Sequence, residues 1–272
     1  TDSDKLNSYK KKAIEIAVRQ STGDLIVTTD ADCIVPAFWL ESIAAFYEKN
    51  NPAFIAAPVA YYKENSFLEI FQSLDFMTLQ GITGASVYKK FHSMCNGANL
   101  AYERKAFNEV DGFKGIDTIA SGDDMLLMHK IYQRYPERIA FFKSKEAIVT
   151  TLAMDTFSAF FNQRIRWASK SANYDDKRIF FVLVLVYFFN VLLLLLAMAS
   201  WFNGYIALLC IGLLMAKMIV EFFFFYPIAV FFSRQRLLWW FPLSQPFHII
   251  YTVIAGWLGK FGSYKWKERK VQ

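Results

Sequence analysis

Apolar and polar positions alternate along residues 1–155 with two different periods, and the switches between them mark the elements. In residues 5–20, Ala13, Ile14, Ala17 and Val18 fall on one stripe at helical spacing, and Gly23 follows as a stop signal. The run LIVTT then predicts a strand. Pro36 opens a helix over PAFWLESIAAFYEKN, with Phe38, Trp39, Ile43 and Phe46 as its buried face, and NNP ends it. FIAAPVAYY predicts the next strand, and residues 66–90 a long helix that is apolar on most faces. A strand over MCNGANLAY, a helix over ERKAFNEV, a glycine-bearing loop DGFKGIDTIASGDD and a helix over MLLMHKIYQRY follow. IAFFKSKEAIVT predicts one or two strands, and residues 156–171 an amphipathic helix with a cationic side. This alternation of strands and helices is the order of a layered α/β sheet, in which ligands sit at the carboxyl ends of strands.

Beyond residue 178 the texture changes. Residues 179–201 carry no charge, and at ~1.5 Å per residue they reach about 35 Å, more than the roughly 30 Å hydrocarbon core. A short WFNGY turn leads to a second apolar segment, 205–232, interrupted by Lys217 and Glu221, which lie one helical turn apart and can neutralise each other. A third segment, 237–258, carries Pro242, Ser244, Gln245, Pro246 and His248, which predicts a broken or interfacial stretch. The expected organisation is an α/β domain over 1–155, an interface helix over 156–178, membrane segments over 179–258 and a basic tail over 259–272.

Of the 272 residues, 55% are hydrophobic, which with the concentration of long apolar runs in the last third excludes a purely water-soluble protein. The net charge of +6 gathers beside those runs, at Arg164, Arg166, Lys170, Lys177 and Arg178, at Arg234 and Arg236, and at Lys260, Lys265, Lys267, Arg269 and Lys270. That distribution follows the positive-inside rule and places the α/β part on the cytoplasmic side of a multi-pass membrane protein. No basic strip interleaved with aromatics occurs in residues 1–160, so nucleic acid is not an expected partner. Cys33, Cys95 and Cys210 lack metal-ligand spacing and suit reduced thiols. The chain starts on Thr1 inside a helix-like segment, which predicts a piece that lacks its N-terminal part.

Four polar constellations carry candidate chemistry. Asp30 and Asp32 end the strand LIVTT at positions i and i+2, where they could grip one hard divalent cation, Mg2+ or Mn2+, that also takes phosphate oxygens. Asp123 and Asp124 stand where a loop meets a helix; they either cap it or supply a general base, for which Asp124 is the better placed. Asn96, Gly97 and Asn99 form a turn, or a backbone that approaches a ligand closely with amides reading hydroxyls. Gln163, Arg166 and Trp167 share one helical face; they anchor the interface, or provide a donor, a phosphate partner and an apolar wall for a sugar ring.

In their order, TTDADC, CNGANLAYERKAF with DGF, SGDD and QRIRW before membrane helices, these elements resemble the family 2 glycosyltransferases of the GT-A fold. The resemblance is to the membrane-bound branch with DxD, (E/D)D and QxxRW motifs, which includes cellulose, chitin and hyaluronan synthases and ceramide glucosyltransferases. It covers about residues 10–170, and QxxRW is its most specific part. It implies a partial GT-A, Rossmann-like nucleotide-sugar domain followed by C-terminal transmembrane helices, lacking the first βαβ part and its uridine-binding Asp.

The resemblance further implies that Asp30 and Asp32 bind the diphosphate of a nucleotide-diphosphate sugar, foremost a UDP-sugar, through the metal. Asp124 would be the base of an inverting transfer to a lipid-linked or glycan acceptor. Asp123, Asn96, Gly97, Asn99, Gln163, Arg166 and Trp167 would line the donor and acceptor sites. Two other function classes are a non-catalytic sugar-nucleotide-binding module of a polysaccharide assembly system and a transporter subunit built around Lys217 and Glu221.

Overall fold

The computed structural model describes residues 9–91, 94–117, 119, 122–169, 177–262, 264–266 and 269–271. Residues 5–8 of the expected first helix, Lys170 and Lys267 of the basic clusters, and residues 118, 120 and 121 of the glycine-bearing loop lie outside these. The chain divides into two units. One contains residues 1–62 and 79–152, and the other 63–78 and 153–272. The boundary near residue 155 is therefore incomplete: residues 63–78 group with the C-terminal part of the chain.

The first unit is built on a four-stranded mixed sheet in the order β1 (Leu25–Thr28), β4 (Leu100–Glu103), β2 (Phe54–Ala56), β5 (Ile139–Phe141). β4 runs antiparallel to both neighbours, and β2 and β5 are parallel. The period-2 alternation of these strands sorts their side chains onto two faces. Ile26, Phe54, Ala56, Leu100 and Tyr102 meet one face, which is covered by Val18 of α1 (Tyr9–Gln20), Phe107 of α4 (Arg104–Glu109) and Leu127 and Ile131 of α5 (Met125–Arg134). Leu25, Val27, Ile55 and Ala101 meet the other, covered by Trp39 and Ile43 of α2 (Trp39–Asn50). The result is three layers, helix on sheet on helix.

Three expectations change in detail. FIAAPVAYY is two strands, because Ala57 and Pro58 turn the chain between β2 and β3 (Val59–Tyr61), and β3 pairs in parallel with β6 (Val149–Thr151) in a separate small sheet. Only residues 100–102 of the expected MCNGANLAY strand are extended, continued by Glu103, which was expected to open the next helix; Asn96, Gly97 and Asn99 precede them in a turn. The second helix begins at Trp39 rather than Pro36, and Phe38 is exposed, so its buried face is led by Trp39 and Ile43.

The second unit holds α6 (Phe157–Ser169), α7 (Lys177–Ala199), α8 (Gly204–Phe231), α9 (Phe241–Phe261) and the first part of α3 (Phe67–Tyr88). Two helices, Arg178–Ala199 and Gly204–Phe231, are long and apolar enough to cross a membrane. Only 17% and 6% of their apolar windows are buried, which is unlike the core helix of a soluble protein. Their hairpin turns at Asn203, whose side chain accepts the Tyr205 N–H. Lys217 and Glu221 pair at 2.7 Å, and Gln245 closes the group by accepting from Lys217 Nζ and donating to Glu221.

Of the two expectations for segment 237–258, broken or interfacial, the broken one gives way to a 3-10 turn, Gln235–Trp240, followed by the continuous helix α9. Pro242 lies in its first turn, where a missing N–H costs nothing, and Pro246 follows one turn on. α9 also approaches α6 closely: a Cβ at Gly259 would come within 2.6 Å of Ala168 Cβ.

Candidate active site

The sheet of the first unit delivers its acids at the end of β1. Thr28 is the last paired residue, and Asp30 and Cys33 close a turn through the Cys33 N–H to Asp30 C=O bond at 3.1 Å. Asp30 and Asp32 are therefore turn residues rather than successive same-side residues of a strand; Asp30 is half-buried and Asp32 exposed. Asp30 Oδ1 lies 2.7 Å from Lys10 Nζ, and the same ammonium lies 3.0 Å from Asp123 Oδ2. One lysine of α1 thus draws together carboxylates from two distant loops. Burial works against its charge, but Asp123 and then Asp30 outweigh burial and hold its pKa above the ordinary lysine value.

Asp124 is the N-cap of α5. Its Oδ1 accepts the Met125 N–H at 2.8 Å, and its Oδ2 accepts the Gly97 N–H at 3.1 Å. The capping role holds, and the second bond ties the acid to the asparagine turn. Asn96 builds that turn by accepting the Ala98 N–H on its side chain. Gly97 is the point of close approach: a Cβ there would lie 3.3 Å from Lys10 Nζ and 3.6 Å from both Asp123 Oδ2 and Asp124 Cβ.

Asn99 is placed differently from the expectation. It is fully buried, donates to the carbonyls of Pro58 and Ala147 and accepts the Trp39 indole N–H. Its three side-chain hydrogen bonds brace α2, the turn after β2 and the turn before β6, which commits the amide to the fold.

The loop preceding Asp123 is held by two lysines that donate into its backbone. Lys11 Nζ meets the carbonyls of Ile116 and Ile119, and Lys130 Nζ those of Gly112 and Lys114. Tyr102 lies beneath the acids with its hydroxyl buried and unpartnered among the described residues; burial and then Asp123 push its pKa above the ordinary tyrosine value. Burial first, and then Asp32 and Asp30, also raise the pKa of the Cys33 thiol, which favours its neutral form.

In the second unit, α6 carries Gln163, Arg166 and Trp167, all half-buried. The motif is organised by a residue between them. Arg164 is buried, pairs with Asp75 of α3, donates to Gln163 Oε1 at 2.5 Å and sets its guanidinium 4.3 Å over the Trp167 ring. Phe76 flanks the same indole with ring centroids 6.1 Å apart. The helix is seated by Phe160 against Phe71, Phe247 and Tyr251.

Among known proteins, the family described as glycosyl transferase family group 2 matches residues 25–258, most of the chain. The chain belongs to this glycosyltransferase family. No curated protein matches it. Among solved structures it is similar to TarS from S. aureus, residues 1–349, in a complex with UDP-GlcNAc, with 13% identity, 94% of this chain and 74% of that chain covered, and a TM-score of 0.35.

Within this family member the structure brings Asp30, Gly97, Asp123 and Asp124 together in one unit, with Asp32 beside them, while Gln163, Arg166 and Trp167 gather on α6 in the other. Lys10 and Arg164 were missed from the sequence. Each sits in a run of charges, KKK and RIR, where periodicity alone does not say which member turns inward.

Proposed function

We propose that this glycosyltransferase family member is an inverting enzyme that moves a sugar from a nucleotide-diphosphate donor, foremost a UDP-sugar, to a lipid-linked or glycan acceptor at a membrane. The family match over residues 25–258, read with the acids gathered around Gly97, carries the proposal. Asp124 takes the proton of the acceptor hydroxyl; the oxygen bonds to the anomeric carbon as the bond to the diphosphate breaks, and the nucleoside diphosphate leaves. Two fixed N–H donors aim the Asp124 carboxylate, so its remaining lone pairs point in a set direction. The family resemblance gives Arg166 a phosphate to neutralise and Gln163 and Trp167 the sugar and acceptor end, and the chemistry of these three side chains suits those roles.

Asp30 and Asp32 suit Mg2+ or Mn2+, which would neutralise the departing diphosphate as a Lewis acid. Their carboxylate oxygens are hard ligands, and phosphate oxygens of the donor would complete the coordination of such an ion. The two apolar helices, with basic residues at both outer flanks, support a multi-pass protein with its α/β unit in the cytoplasm.

The test is incubation of the detergent-solubilised protein with labelled UDP-glucose, UDP-GlcNAc and GDP-mannose, with and without Mn2+. Manganese-dependent release of nucleoside diphosphate from one donor is expected, with loss in Asp124→Asn. Release that Asp124→Asn leaves unchanged removes Asp124 as the base, and binding of every donor without turnover turns the reading into that of a binding module.

A further inference from the structure

The proposed transfer makes no use of Lys10, yet its ammonium holds the central position of the acidic group. It reaches Asp30 at the end of β1 and Asp123 before α5, at 2.7 and 3.0 Å. Gly97 keeps that position open, since a Cβ there would press on Lys10 Nζ at 3.3 Å. Asp30 Oδ1, one of the oxygens a divalent cation would take, is committed to this ammonium.

We infer that Lys10 is the resident counter-cation of the acidic cluster, and that it couples cation binding to donor binding. The inference rests on the proposed function for the assignment of Asp30 and Asp32 as cation ligands. A divalent ion and a lysine ammonium a few ångströms apart repel each other, and both compete for Asp30. Lys10 therefore keeps affinity for the bare cation low. A diphosphate reverses the balance, because its negative charge screens the two cations from each other and its oxygens give the Lys10 N–H groups new acceptors. Affinity for each of the two ligands then rises by the same factor when the other is bound.

The experiment measures equilibrium binding of Mn2+ alone, from the free-ion electron paramagnetic resonance signal, in wild type, Lys10→Met and Lys10→Arg of the solubilised full chain, then repeats it with saturating UDP. Lys10→Met is expected to bind Mn2+ alone at least tenfold more tightly than wild type, Lys10→Arg to stay as weak as wild type, and UDP to tighten Mn2+ binding in wild type far more than in Lys10→Met. Lys10→Gln carries the same prediction as Lys10→Met if the latter does not fold, because its amide still donates to a carboxylate. Mn2+ affinity that is equal or weaker in the uncharged variants overturns the inference. If that result accompanies Mn2+-dependent sugar transfer by wild type, the transferase stands and the counter-cation falls. A gain in affinity without turnover of any nucleotide sugar has the opposite meaning.

Discussion

Asp75 and Arg164, 89 residues apart in the chain, form a buried ion pair in which the arginine Nε donates to the carboxylate at 3.0 Å. The other Asp75 oxygen accepts the Tyr251 hydroxyl, so the acid ties α3 and α9 to the arginine that faces Trp167. Removing one member of a buried pair leaves the other charge without compensation. Arg164→Met should cost about 3–5 kcal/mol of stability, and Asp75→Asn in the same chain should recover part of it. Chemical denaturation in detergent reads both; a single variant as stable as wild type would show that the pair contributes nothing.

Asp124 combines two roles that one substitution separates. Asparagine caps helices about as well as aspartate, but its amide nitrogen cannot accept, so either the Met125 or the Gly97 N–H loses its acceptor and Asp124→Asn should cost about 1–3 kcal/mol. It cannot take a proton from a hydroxyl, and kcat should fall by roughly 10²–10⁴. A melting curve and a rate measurement on the same sample check both; a larger loss of stability would mean that the lost rate reports a damaged fold.

Asn99 should behave in the opposite way. Asn99→Ala leaves the Trp39 indole N–H and the Ala147 carbonyl buried without partners, while the Pro58 carbonyl keeps the Val149 N–H. Each orphaned group costs roughly 1–3 kcal/mol, so a loss of about 2 kcal/mol or more in urea unfolding is expected, with the donor KM of the remaining folded protein unchanged.

Cys33 has a definite pH signature. Its thiol pKa is raised in the folded protein, through burial and then the charges of Asp32 and Asp30, above the ordinary 9.0. The neutral thiol is therefore the favoured folded form, and its contribution to stability is complete below the unfolded value and is lost as pH rises through the folded one. Iodoacetamide at pH 8 should label Cys33 more slowly in the folded chain than after urea unfolding, as peptide mass spectrometry would show. Equal rates would place a thiolate at this position.

Much of this fold was legible because burial imposes a period. The residues around Ala13, Ile14, Ala17 and Val18 became a helix that buries Val18 and half-buries Ile14 while Ala13 and Ala17 stay exposed, LIVT became a strand, and the long apolar segments became helices. The limits of local patterning show at Pro58, where an apolar run reads as one strand although its two halves pair in different sheets. They show again at Pro242 and Pro246, which suggest a break but fall within the opening turns of an unbroken helix. The acids at the carboxyl end of a strand were legible as candidates, whereas the three bonds that commit the Asn99 side chain to neighbouring turns were not, because residue type does not reveal what a side chain is bonded to.

By itself the sequence determined the kind of most elements and the four groups of polar residues that are candidates for chemistry, since those properties depend on neighbours within a few residues. Only the tertiary structure decided that β4 enters between β1 and β2, that Lys10 rather than its two lysine neighbours meets Asp30 and Asp123, and that Arg164 turns inward while Arg166 does not. Those choices depend on contacts between residues 20 to 113 positions apart, where the gain from pairing charges and filling space is set by the packing of whole layers and leaves no periodic trace in the chain.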